Sequence, residues 1–166
     1  MTCKHPSSGR WHPGWGAPLD TATALAASLL FFVSALAHEL AHSLVARARG
    51  LPVNRITLFL LGGVSNLERE PASPGTEFVK AVVGPLTSMF LGTFFLTLES
   101  ASWGGAQLAL KGPLEALGHL GPLSTLLLWL GPINIVVGLF NLVPAFPVDG
   151  GRIIRWLNLQ AGIQAI

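Results

Sequence analysis

Charge is what this sequence has least of. Asp, Glu, Lys and Arg make up 11% of its 166 residues, under half of the roughly 25% usual in a soluble globular domain. That shortage excludes a soluble enzyme with an ordinary polar surface. Cysteine is nearly absent as well: Cys3 alone rules out an internal disulfide framework and a Cys-rich zinc ribbon, so any metal site must use His and carboxylates. Ten basic and eight acidic residues leave a net charge of +2, with no run of like charge and no basic stripe, and nucleic-acid binding is unsupported. The first apolar stretch begins only near residue 20, and it reads as a retained helix and not as a signal peptide.

Apolar residues, at 51%, fill the space that charge leaves. Thr21 to His38 and Ala81 to Leu98 are uncharged for 18 residues each, and Ala116 to Val148 for 33. Each reaches the roughly 18 residues at which a bilayer span is suspected. The predicted helices run from Thr21 to about Ala46 with Asp20 as N-cap, from about Thr76 to Leu98 with Gly84-Pro85 bending the start, and from about Leu120 to Leu142 with Pro132 inside. Residues 56–64 are apolar or β-branched and too short to span, and predict a short strand or re-entrant hairpin at the membrane edge. The fold class is thus an all-α integral membrane protein, a three-span helical core with one short membrane-edge β or re-entrant segment. Arg47, Arg49, Arg55, Arg69, Lys80, Arg152 and Arg155 fall on one side of these spans; Lys4, Arg10 and Lys111 fall on the other. The excess of basic residues marks the cytoplasmic side, which predicts an outside N-terminus, a cytoplasmic C-terminus and a multi-pass protein of the cell membrane.

Inside the first helix stands His38-Glu39-Leu40-Ala41-His42. Residues four apart share one helix face, so His38 and His42 can offer imidazole nitrogens to one metal ion while Glu39 stands beside them as general base. The plainer alternatives are two helix histidines facing solvent or the bundle, and a carboxylate paired with Arg47 or Arg49. Ionisable residues within a span are costly and mark function, and here three fall on a single turn. The candidate third ligand is Asp149, the only acid between Glu115 and the C-terminus. It follows Pro144 and Pro147 and precedes Gly150-Gly151, a pattern that predicts irregular backbone at membrane depth, either packed in protein or lining a wet cavity. A helix cap or surface turn is the alternative for Asp149.

These residues resemble the site-2 proteases, a family of intramembrane zinc metalloproteases. The resemblance rests on His38-Glu39-Leu40-Ala41-His42 and on Asn141-x-x-Pro144 through Asp149-Gly150, and extends to Leu58 through Val64 and Ala81 through Leu86. Their order is similar to that of the subgroup that often carries C-terminal CBS domains, which have no counterpart in these residues. It covers about residues 25–156. It implies one Zn2+ held by His38, His42 and Asp149, Glu39 as general base, and Asn141 in contact with substrate. The substrate implied is a transmembrane segment of another protein, cut near the cytoplasmic side in regulated intramembrane proteolysis. The Gly62-Gly63 region would guide that segment in extended form. On this resemblance residues 1–20 are a polar tail, 21–157 the metalloprotease core, and 158–166 a C-terminal tail that is also the candidate start of a further helix. The rival function is a non-catalytic membrane protein that binds a metal or a partner, a pseudoprotease.

Other residues read more plainly. Cys3, His5 and His12 lie in a Pro/Gly/Ser-rich stretch and read as a disordered tail; His119 reads as interfacial. The five tryptophans fall mostly near span ends, as an aromatic belt does. Asn134 either satisfies backbone freed by Pro132 or lines the cleft. Gly84, Ser88, Gly92, Gly131 and Gly138 read as small residues for close helix packing.

Overall fold

The structure, a computed structural model, describes residues 12, 14–50, 74–102, 120–145 and 148–160. Within them are four helices and no strand: α1 (Ala17–Ala48), α2 (Pro74–Ser100), α3 (Pro122–Asn141) and α4 (Asp149–Gln160). The first three are long and apolar enough to cross a membrane. α3, at 20 residues, is about 30 Å long, which matches a hydrocarbon core. Large apolar side chains such as Leu25, Leu29, Phe90, Trp129 and Phe140 point outward. Lipid, not water, is the solvent that tolerates such a surface. The expected edge segment at 56–64 and His119 lie outside the described residues.

α1 is rich in Ala and Leu and contains no glycine. It starts four residues earlier than predicted. Gly16, in extended conformation, is the N-cap, and Pro18 follows within the first helical positions, where its fixed φ favours the helix and its missing N–H costs nothing. Asp20 is therefore not the cap but a first-turn carboxylate at the positive end of the helix dipole. The helix ends at Ala48, and Gly50, just past the Arg49 cap, has a φ of 73° that suits glycine, while its N–H bonds the Arg47 carbonyl at 3.0 Å. Hydroxyls along the spans are satisfied internally: Thr23, Ser34 and Thr87 donate to carbonyls one turn back, at 2.8, 2.9 and 2.8 Å.

α2 is the central element and touches each of the other three helices. Against α3 it packs antiparallel through a seam in which a β-carbon has no room. A Cβ on Gly92 would stand 2.6 Å from the Gly131 carbonyl oxygen, and one on Gly138 would stand 2.8 Å from that of Pro85. The packing expectation for Gly92, Gly131 and Gly138 is met on this seam. Asn134 does not serve the carbonyl that Pro132 frees. Its amide donates to the Leu130 carbonyl at 2.8 Å, whereas Pro132 frees the carbonyl of Leu128.

The chain breaks after Asn141 and re-enters helix at Asp149. Asp149 is thus the first residue of a helix, not part of an irregular strand of cavity lining. Gly150 makes that turn feasible, since a Cβ there would collide with the main-chain oxygens of Val143 and Leu142. α4 has 12 residues, about 18 Å, and is too short to span. It docks on α2, where Trp156 meets Phe78 with ring centroids 4.9 Å apart. At the far end of the bundle His12 is buried, stacked on Trp15 at 4.0 Å and 3.2 Å from the Thr125 hydroxyl. A disordered tail does not describe His12: the aromatic stack and the α3 hydroxyl hold it.

Candidate metal centre

His38 and His42 leave α1 one turn apart and face α2 and α4. The Nε2 atom of His38 lies 3.2 Å from Asp149 Oδ2, that of His42 lies 3.1 Å from the same oxygen, and the two Nε2 atoms are 3.2 Å apart. The structure therefore brings together the three side chains singled out as ligands, two from the first helix and one from a helix 107 residues later. His38 is buried, and the other two are nearly so. Among the described residues no other group of three His, Cys, Asp or Glu side chains is close enough to share an ion.

The chemistry of the donor set can be read from what lies behind it. His42 Nδ1 is 2.6 Å from the carbonyl oxygen of Lys80. A carbonyl only accepts, so Nδ1 carries the hydrogen and Nε2 presents a lone pair to the centre. A carboxylate oxygen 3.1 Å from that lone pair is repelled unless a cation, a proton or a metal ion, sits between them. Ligand atoms around a tetrahedral zinc with bonds of about 2.0–2.1 Å are about 3.3–3.4 Å apart. The three observed separations are within a few tenths of that, and the residues fit a metal ion.

Burial opposes the negative charge on Asp149, but the imidazoles of His38 and His42 beside it outweigh burial and hold this carboxyl well below the usual carboxylate range. Asp149 lies on α4, outside the three spanning helices. Its position at the helix start also places the charge at the positive end of the α4 dipole, so the cap-like placement and the ligand-like placement coincide.

Glu39 is half-buried on the turn that carries His38. Among the described residues it forms no ion pair, which removes the proposed pairing with Arg47 or Arg49; Arg49 instead reaches the Thr76 hydroxyl at 3.4 Å. Asn141 lies at the end of α3, and its amide donates to the Val137 carbonyl at 3.0 Å. It is not among the three converging side chains.

Three contributors from α2 were not assigned to the centre from the sequence. Lys80 supplies its carbonyl to His42, and Ser88 stands 2.8 Å from Nδ1 of His38. Between them Gly84 keeps the space clear: a Cβ there would run into His42 Nε2 and come within 2.6 Å of His38 Nε2. Lys80, Gly84 and Ser88 recur at every fourth residue, the spacing of one helix face. That spacing is visible in the sequence, but nothing in it says which helix the face meets.

The model of peptidase family M50 matches residues 26–117 and 108–161. A protein of Synechocystis sp. named "Putative zinc metalloprotease" is 43% identical over 136 residues, covering 82% of this chain and 32% of that protein. The Rip3 protein of Mycobacterium tuberculosis, with the same description, is 37% identical over 145 residues, covering 83% and 34%. A zinc metalloprotease of Methanocaldococcus jannaschii is 35% identical over 127 residues, covering 76% and 32%. The chain spans about a third of the length of the curated relatives it matches. No solved structure matches. Three spanning helices, a His-His-Asp group able to hold a metal, and matches along most of the sequence lead to one conclusion: this chain is a multi-pass membrane protein that belongs to peptidase family M50, the site-2 protease family.

Proposed function

We propose that this chain is the core of a zinc-dependent intramembrane endopeptidase that cuts a transmembrane segment of another membrane protein near the cytoplasmic side. The observation that carries the reading is the convergence of His38 Nε2, His42 Nε2 and Asp149 Oδ2 within 3.2 Å of one another where the short α4 meets the spanning helices α1 and α2. These three side chains hold one zinc ion. When bound, the ion supplies Lewis acidity toward the scissile carbonyl and the attacking water. Glu39, free of any described ion pair, takes the proton from that water and delivers it to the departing amine. Asn141, the last residue of α3 before the break that leads to Pro144, contacts the extended substrate. A helical substrate hides its carbonyls in internal hydrogen bonds, so it must unwind locally, and helix-breaking residues favour cleavage. Residues 21–157 form the metalloprotease core.

The basic residues support the orientation. Arg47 and Arg49 end α1, Lys80 lies in the first turns of α2, and Arg152 follows Asp149 on α4. All four stand at the metal-centre end of the bundle, which is therefore the cytoplasmic end.

The test is a cleavage assay on a single-span substrate together with metal analysis of the purified chain. Glu39→Gln is expected to keep about one zinc per chain while proteolysis falls by about 10²–10⁴-fold. Asp149→Ala is expected to lose the zinc. Undiminished proteolysis by Glu39→Gln would sink the mechanism, and zinc without turnover in the unmodified chain would assign the site to binding alone.

A further inference from the structure

The two imidazoles of the centre are held from behind in different ways. His42 donates from Nδ1 to a main-chain carbonyl, that of Lys80, and no change of side chain at residue 80 removes this partner. His38 has only a side chain behind it: among the described residues the one partner of its Nδ1 is the Ser88 hydroxyl, at 2.8 Å. Ser88 is 1% exposed and His38 is 8% exposed, so bulk water does not stand ready to replace that bond. The hydroxyl faces α1, whereas the close backbone approach one turn on, at Gly92, is made with α3. Alanine would serve packing at residue 88 equally well. The hydroxyl is the part of the residue that packing leaves unexplained.

We propose that Ser88 is a positioning residue of the metal centre, accepting from His38 Nδ1 and so fixing the ring rotation and tautomer that turn Nε2 toward His42 and Asp149. The inference rests on the reading of His38, His42 and Asp149 as zinc ligands. A neutral imidazole that gives its Nε2 lone pair to a metal carries its hydrogen on Nδ1, and Ser88 Oγ is the acceptor placed to receive it. Without it the ring keeps a buried N–H with no partner and can rotate away from the ligand geometry. Removing such an outer partner typically weakens metal affinity by about 10–100-fold.

The experiment uses the full chain in detergent, stripped of metal, with zinc affinity read by competition against a chromogenic chelator and ligand geometry read from the Co(II) absorption bands. Ser88→Ala is expected to weaken zinc by about 10–100-fold. Ser88→Thr and Ser88→Val have nearly the same shape but differ in the hydroxyl, so their comparison removes any cost of volume: the Thr variant should bind zinc at least about tenfold tighter than the Val variant and restore the Co(II) bands. Thr87→Ala, which deletes a neighbouring hydroxyl bonded to the Val83 carbonyl of its own helix at 2.8 Å, should leave affinity and bands unchanged. Equal affinities and spectra for the Thr and Val variants would overturn the role of Ser88. Absence of zinc binding by the unmodified chain would instead overturn the metal reading beneath it, and the two failures are told apart by that measurement.

Discussion

The two faces of α2 are built from similar residues and do opposite work. Toward α3 the helix presents Pro85, Met89, Gly92 and Leu96, which meet Gly131, Ile135 and Gly138 in a dry seam where a β-carbon would collide. Toward α1 and α4 it presents Lys80, Gly84 and Ser88, a carbonyl, a space and a hydroxyl, which hold the two histidines in place and leave room between them. A glycine stands in both rows. In the seam its absent side chain lets two backbones approach; at residue 84 it leaves open the place where Nε2 atoms converge. A span can therefore carry stability on one face and chemistry on the other, and "small residue in a transmembrane helix" does not by itself say which.

The sharpest way to break this contrast is to add one methyl group to each face. Gly84→Ala places a carbon against the Nε2 atoms of both His38 and His42. Zinc binding and proteolysis should be lost altogether, while helicity by circular dichroism and the thermal midpoint of the metal-free chain stay close to those of the unmodified protein. Retained zinc in Gly84→Ala would mean that the ligands lie further from α2 than they do here. Gly131→Ala is the converse change, since its Cβ would sit 2.6 Å from Leu96 Cγ. Overpacking of this kind typically costs about 1–3 kcal/mol, so the detergent-unfolding midpoint should fall while zinc per folded chain is unchanged. Loss of zinc affinity in parallel with stability would show that the two faces are coupled, and the contrast would fail.

How much of this was legible from the sequence follows from the range of each signal. The spans were visible because long uncharged runs are a local property, and the ends missed by a few residues where turn chemistry decided: Gly16 and Pro18 start α1 ahead of Asp20. The His38-Glu39-x-x-His42 turn was visible because ligand spacing within one helix is fixed by its pitch. Asp149 was visible as an isolated acid after prolines, although its place at the start of a helix was not, because Gly150 fits against carbonyls that only the fold brings near. The contribution of α2 was illegible for the same reason. Lys80 acts through its main chain, which has no side-chain signature, and Ser88 is one of many hydroxyls in the spans, most of which bond their own helix. Glu99 shows the limit from the other side. It reads as a span-end acid, yet it is 2% exposed and among the described residues neither carboxylate oxygen has a hydrogen-bond partner. Burial of an acid does not by itself make a site; His38, His42 and Asp149 differ from it in converging.

Asn141 gives the smallest and most discriminating change. It closes α3 at the metal-centre end, and in the resting fold its amide is already occupied by the Val137 carbonyl. Its Oδ1, which that bond does not use, can accept from the unwound chain, so the gain on holding substrate is that of a single hydrogen bond, about 1 kcal/mol. Asn141→Ala should accordingly lower kcat/KM by about fivefold to tenfold, with zinc affinity unmoved because no ligand touches it. The same substitution should barely alter the unfolding midpoint, since the Val137 carbonyl near the helix end can find another donor. If instead the midpoint falls and kcat/KM per folded, zinc-loaded chain does not, Asn141 braces the end of α3 and belongs with the seam. That outcome would move the border between the structural and chemical faces by one residue without touching the zinc ligands, which is why this measurement, though it reads the weakest effect, locates the border best.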